Sequence, residues 1–267
     1  MSDIVTIRAS SWSDLLDCPH RWEARHLLKV DAPTSGPAAL GTALHASTAA
    51  FDLSRVTGSG LTVDDTAGVL VDELRRPAKP VHWGEDSPKK AEQIGLRLHS
   101  RYCREWSPRY EWRAVEMLTE PLDIEVKGIV IRLTGRMDRA RIRKGAKGAG
   151  INDLKSGRRA VGRDGAAVTK GHAAQLGVYE LLYEHTTGEP ITEDAEIIGL
   201  QTTGSNPRIG TGTVLGAKAR LLGDSAEPGL IEQGASILKS GIFHANPNSR
   251  LCSPKFCPRW STCKFHD

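Results

Sequence analysis

Asp138, Asp153 and Lys155 are the residues of this chain whose types and spacing could do chemistry. They lie in a stretch that reads Thr134-Gly-Arg-Met-Asp138, a Gly/Lys-rich interruption, then Ile151-Asn-Asp-Leu-Lys-Ser-Gly157. The interruption, Lys144 to Gly150, has the composition of a hairpin loop between two apolar runs, Gly128 to Ile142 and Ile151 to Leu154. Folding the runs antiparallel about Gly145/Ala146 sets Asp138 opposite Asp153. Side chains alternate faces along a strand, so Asp153 and Lys155 point the same way. Two carboxylates and an ammonium then converge. Apposed carboxylates raise one another's pKa unless a cation sits between them, and hard oxygen ligands suit Mg2+ or Mn2+. A metal held by two carboxylates, with a lysine to position or help deprotonate a water, is equipment for attack on a phosphodiester. The plainer alternative is an exposed hairpin whose Asp and Lys form a surface ion pair, which contributes little. Spacing alone leaves the two readings level.

The elements around this stretch must position it. Ser10 to Leu16 opens a helix, followed by a second amphipathic piece from Cys18 to Leu28, and Asp31 to Pro37 reads as a loop. Leu40 to Phe51 is a helix of small residues around His45, a lone histidine that on this pattern belongs to the core. Further helices are expected over Leu61 to Leu74 and Pro88 to Trp106, the latter burying Cys103 as a small hydrophobe. Ala114 to Val126 alternates as one or two strands feeding the hairpin, with Glu116 facing solvent or giving a supporting hydrogen bond. After a Gly-rich stretch from Gly162 to Gly171, His172 to His185 is a helix on which Gln175 and Tyr179, four apart, are neighbours. Either they form a polar shoulder beside the Leu176/Leu181/Leu182 stripe or they aim hydrogen bonds at phosphate or water. Ala195 to Thr203 reads as a strand, Gly204 to Gly216 as a loop with a short strand, and Leu230 to Lys239 as a late helix.

Composition narrows the function classes. At 267 residues the chain can bury a sizeable core. No apolar run approaches the roughly 20 residues that span a bilayer, so no membrane partner is expected. The first residues lack the features of a secretory signal, and a cytoplasmic protein is expected. A net charge of +4 permits nucleic acid without implying it. Three of the five cysteines fall near the end of the chain, Cys252, Cys257 and Cys263 at C-x4-C-x5-C spacing. Disulfides seldom persist in the cytoplasm, so these thiols are expected to hold a metal or cluster. Candidates for a fourth ligand are Cys18, Cys103 and His266. One distant residue plus a terminal trio favours an iron-sulfur cluster over zinc. With Cys18 in the set, the cluster would clamp the two ends of the chain.

Six motifs in order resemble the RecB-like nucleases of the PD-(D/E)XK superfamily: Ser11-Trp-Ser-Asp-Leu-Leu-Asp-Cys-Pro19, Gly41-x3-His45, Gly135-Arg-Met-Asp138, Asp153-Leu-Lys155-Ser-Gly157, Gln175-x3-Tyr179 and the terminal cysteines. The chain is most similar to the cluster-bearing subgroup, among them CRISPR-associated adaptation exonucleases, the AddB-type helicase subunit's nuclease domain and phage exonucleases. The resemblance implies an α/β fold with a mixed central sheet flanked by helices. It implies a helical N-terminal region over 1–110, a nuclease core over 111–245 and a cluster-binding tail over 246–267. By the same resemblance Asp138, Asp153 and His45 hold Mg2+ or Mn2+, Lys155 orients or activates the water, and Gln175 and Tyr179 support the site and touch the DNA backbone. Cys18, Cys252, Cys257 and Cys263 would hold a 4Fe-4S cluster, with Arg158, Arg159 and Arg163 steadying the strand. The expected activity is a DNA exonuclease acting on single strands or duplex ends, in recombination, repair or CRISPR adaptation, with a recombination or helicase protein as its expected partner. Two rivals stand next to it: a binding or assembly module without turnover, and a nuclease stapled by zinc. Two departures bear on these readings. The second acid is Asp153 where many relatives have Glu, and four residues separate Cys252 from Cys257 where two are common.

Overall fold

A computed structural model describes residues 4–31, 34–84, 86–143, 148–204 and 206–266. The chain opens with β1 (Ile4–Arg8), α1 (Trp12–Asp17) and α2 (Pro19–His26). A short β2 (Thr34–Ser35) leads into the long α3 (Gly36–Thr57), then α4 (Val63–Arg75), β3 (Val81–His82) and α5 (Pro88–Arg101). The sheet-forming half is β4 (Tyr110–Leu118), β5 (Leu122–Val126), β6 (Ile129–Thr134), β7 (Arg136–Arg143) and β8 (Ala149–Gly157). It is completed by α6 (Ala173–Thr187), β9 (Ala195–Gln201), β10 (Ile209–Val214), α7 (Ala217–Leu222) and α8 (Leu230–Ser240).

The central sheet has the order β10-β9-β8-β7-β4, with β8 and β9 parallel and its other pairs antiparallel. The fold is therefore mixed α/β. One face buries Leu40, Ala43 and Leu44 of α3, with α4 and α5 behind, against Leu154, Ile198 and Leu200. The other buries Leu176, Val178 and Leu182 of α6 against Met137, Ile151 and Ile197. β8 thus feeds alternate residues to opposite cores, as its pleat requires. Because α6 is buried almost all round, its stability comes from packing rather than propensity.

The apolar run from Gly128 to Ile142 divides at Gly135 into two strands of different sheets. β6 joins β1 and β5 in a three-stranded sheet, in which β1 runs parallel to β6. This pairing ties the first residues of the chain into the core, an arrangement absent from the sequence reading. The expected turn at Gly145/Ala146 lies outside the described residues. Its register is nonetheless set by the pairs Arg139–Asn152 and Ile142–Ala149. Among the described residues no helix is long and apolar enough to cross a membrane.

Candidate metal centre and groove

Continuing the β7–β8 register by one residue brings Asp138 beside Asp153, and the Leu154 amide donates to Asp138 Oδ2 at 2.8 Å. On its other side β7 pairs with β4, where Val115 meets Arg139 and Met117 meets Met137. Glu116 therefore stands across from Asp138. Three carboxylates line up on three neighbouring strands.

The helix α3 supplies the fourth group. Ser35 caps it by accepting from the Ala38 amide, and Gly41, His45, Thr48 and Asp52 fall on one stripe of its surface. A Cβ at Gly41 would come 2.6 Å from Ser156 Oγ, so glycine lets the helix lie close beside the strand that carries Lys155. His45 Nδ1 then reaches within 3.4 Å of Asp138 Oδ2. Ligand atoms of His45, Glu116 and Asp138 all lie within 4.8 Å of one another. A lone core histidine was the expectation from sequence pattern, and the structure places His45 at the carboxylates instead.

Glu116, 30% exposed, lines the open groove and lies 3.5 Å from Arg139 Nη1. Its backbone sits at φ +48°, a left-handed conformation that costs a non-glycine residue roughly 1–3 kcal/mol. That twist occurs where its carboxylate meets the site. Burial, then the Asp138 charge, raises its pKa.

Asp153 is 1% exposed, so its charge must be met from within. Lys155 Nζ lies 2.6 Å from Oδ2, and Gln175 Nε2 donates to Oδ1 at 3.0 Å. The lysine contact engages Oδ2, and a carboxylate oxygen with two lone pairs keeps capacity for a second partner. Burial foremost, with Asp138 adding to it, raises the Asp153 pKa against the pull of Lys155. Lys155 is desolvated too, but Asp153 and Asp138 outweigh that and hold its ammonium above the usual range. It is a resident cation and not a free base. Its side chain keeps 28% exposure.

Gln175 and Tyr179 sit next to each other as expected, with Gln175 Nε2 3.3 Å from the Tyr179 hydroxyl. Gly135 admits that ring, since a Cβ there would lie 3.0 Å from Tyr179 Cε1. Both residues are buried, at 5% and 4% exposure, and they lie beneath Asp153. Burial and the two aspartates keep Tyr179 a neutral phenol.

Arg139 and His172 had no place in the sequence reading. Arg139 is fully buried and donates to Asp52 Oδ2 at 2.8 Å, to Thr48 Oγ1 at 3.1 Å and to the Asp138 carbonyl at 3.1 Å. Asp52 also accepts from Tyr102 and Ser107. The pair fastens the helix bearing His45 to the strand bearing Asp138, and losing one partner of such a pair costs about 3–5 kcal/mol. A signal was present: Thr48 and Asp52 share the His45 face of α3. His172, at the start of α6, is kept neutral by burial and by Lys155, its pKa lowered to about 4.

The centre opens into a groove of about 1330 Å³ between α3, the end of β8 and the C-terminal lobe. Arg136, Arg158, Arg159, Arg250 and Lys255 line it. Arg158 and Arg159 lie on this lining and Arg163 does not.

Cys18, Cys252, Cys257 and Cys263 line one small cavity, and the Asn246 amide donates to Cys18 Sγ at 3.4 Å. Burial and the three neighbouring cysteines raise the Cys252 thiol. Cys103 lies elsewhere, 2% exposed and beside His99. His266 stacks on Trp260 at 3.8 Å and reaches the Trp260 carbonyl.

Among curated proteins none matches the chain. A solved structure, described as the crystal structure of SSO0001, is similar over 97% of this chain and 85% of its own, at 15% identity and a TM-score of 0.45. So loose a likeness passes nothing on about activity. The sequence model of the PD-(D/E)XK nucleases, by contrast, matches from residue 7 to residue 264, a span that takes in the helix of His45, the three acidic strands and the cysteine lobe alike. The chain belongs to the PD-(D/E)XK nuclease superfamily.

Proposed function

We propose that the chain is a Mg2+- or Mn2+-dependent exonuclease that hydrolyses DNA from its ends. Membership of the superfamily implies a metal-dependent nuclease acting on DNA. The observation that carries the finer reading is the convergence of His45, Glu116 and Asp138 beside the Asp153–Lys155 pair at the floor of a cationic groove. Carboxylate oxygens with one imidazole suit a hard divalent ion, and Asp153, on the strand next to Asp138, stands beside this group and not within it. A bound divalent cation would polarise a phosphate oxygen and lower the pKa of a water.

The protein's own groups do the rest. Gln175 fixes the Asp153 carboxylate, and Asp153 fixes Lys155. The ammonium of Lys155 lies where negative charge grows on the phosphate as the water attacks. Arg136, Arg158 and Arg159 hold flanking phosphates. Walls on both sides of the groove, α3 and the C-terminal lobe, favour a strand end over the middle of a duplex.

In the same reading the four cysteines hold a 4Fe-4S cluster. All four line one cavity, and one distant residue plus a terminal trio favours a cluster over a single zinc ion. A brown protein with iron and labile sulfide supports it; a colourless one with stoichiometric zinc refutes it.

The decisive experiment incubates linear single- and double-stranded DNA with the protein and Mn2+ beside Asp153→Ala. Loss of cleavage in the variant is expected. Equal degradation by both proteins refutes the site, and an inert wild type across metals and ends leaves a binding module.

A further inference from the structure

We infer that the pocket between the first turn of α3, β3 and α5 is a nucleobase site for a single strand on its way to the metal centre. The inference rests on the nuclease reading above and adds a ligand class to it. The pocket has about 390 Å³, within the range of small-molecule sites. Its apolar side is Leu40, Trp83 and Ile94, and its polar side includes Asp86, Gln93 and Arg158. A flat apolar surface beside an acid, an amide and a guanidinium matches a base with a hydrogen-bonding edge and a phosphate.

Trp83 is held for this use. Its ring lies over Gly36, where a Cβ would come 2.8 Å from Trp83 Cε3, so little freedom remains for a ligand to quench. The ring also borders a second cavity of about 510 Å³, shared with Arg158 and Lys255. Arg158 lines both of these cavities and the metal groove, so the three adjoin at this side chain. Among the described residues Arg159, Arg250 and Lys255 have no acidic partner within 4.0 Å, while Arg158 stands 3.9 Å from Asp86. Cations alternate with aromatic surface, the pattern of single-strand binding. A duplex keeps its bases paired and stacked, out of reach of Trp83.

The spacing fits a strand as well. Pro37 borders the pocket and the groove, and from Pro37 to His45 the helix rises about 12 Å. A stacked strand covers that in about three to four nucleotides. The seated base would lie that far from the bond being cut.

The test measures anisotropy of a short labelled single strand, with Ca2+ replacing Mn2+. Trp83→Ala should weaken binding about tenfold, Trp83→Phe should bind like wild type, and blunt duplex affinity should hardly move. Arg158→Ala, at an exposed side chain, should weaken the strand and lower the salt slope by about one counterion. It guards against a folding defect in Trp83→Ala. Unchanged single-strand affinity in both variants, or an equal loss with duplex, overturns the site. Displacement of the strand by micromolar deoxynucleoside monophosphate would assign the pocket to a free nucleotide and overturn the strand. Normal Asp153-dependent cleavage with binding indifferent to Trp83 sinks this inference alone. Trp83-dependent binding by a wild type that never cleaves sinks the nuclease reading alone.

Discussion

Asp138 and Asp153 stand on adjacent strands whose register is fixed by backbone hydrogen bonds, and Glu116 joins them from a third. Cys252, Cys257 and Cys263 stand on a segment, 242–266, that contains no helix or strand. That lobe is held by polar ties to the first two helices: Arg25 to the Phe256 carbonyl at 2.6 Å, Asn246 to the Asp17 carbonyl at 2.9 Å, and Arg259 to Glu23 at 2.9 Å. The carboxylate site is therefore organised by the sheet whether or not a metal is present. The lobe has little regular structure, and on the proposal above a cluster held by its thiols would supply much of its order.

Substituting one ligand at each place breaks this comparison most directly. Asp138→Asn should lower Mn2+-dependent cleavage by about a thousandfold or more while far-UV circular dichroism and Tm stay near wild type. Cys257→Ser should do the reverse, lowering Tm by about 5–10 °C and exposing 242–266 to limited proteolysis. A Cys257→Ser protein as stable and protease-resistant as wild type would erase the contrast. Glu116→Gln sharpens it. Turnover at saturating Mn2+ should persist, while half-maximal activity should need about tenfold more metal. An unchanged metal requirement would remove Glu116 from the centre.

The smallest expected effect lies beneath the site, on α6. Burial raises the Glu180 pKa to about 7 in the folded chain, from 4.5. The folded state therefore holds this proton more tightly than the unfolded one. Its contribution to stability is fully present below about pH 4.5 and is lost as pH climbs through about 7. Glu180→Gln keeps an acceptor for the Lys218 amide and removes the titration. Chemical denaturation should show a gain of about 1 kcal/mol at pH 8 that shrinks toward pH 5. A gain independent of pH would assign the effect to packing.

Much of the sheet site was legible because its determinants are local. The two apolar runs pair antiparallel as β7 and β8, and strand alternation puts Asp138, Asp153 and Lys155 together. The Gln175–Tyr179 neighbourhood follows from helical spacing in the same way. Glu116 was not legible, because alternation presumes an extended backbone and this residue departs from it at φ +48°. Arg139 was missed for a different reason. Charge in a sequence reads as surface, and only the assembled fold shows its carboxylate partner arriving from a helix 87 residues away. The division of one apolar run at Gly135 and the parallel pairing of β1 with β6 are long-range choices, made by which cores remain to be covered.

Arg250, Leu251, Lys255 and Phe256 belong to the cysteine lobe, yet they form one wall of the groove. Damage at the thiols would thus surface as slack grip: a preparation exposed to air would need more substrate to reach an unchanged maximal rate. Oxidant, in that case, loosens the enzyme's hand and spares its blade.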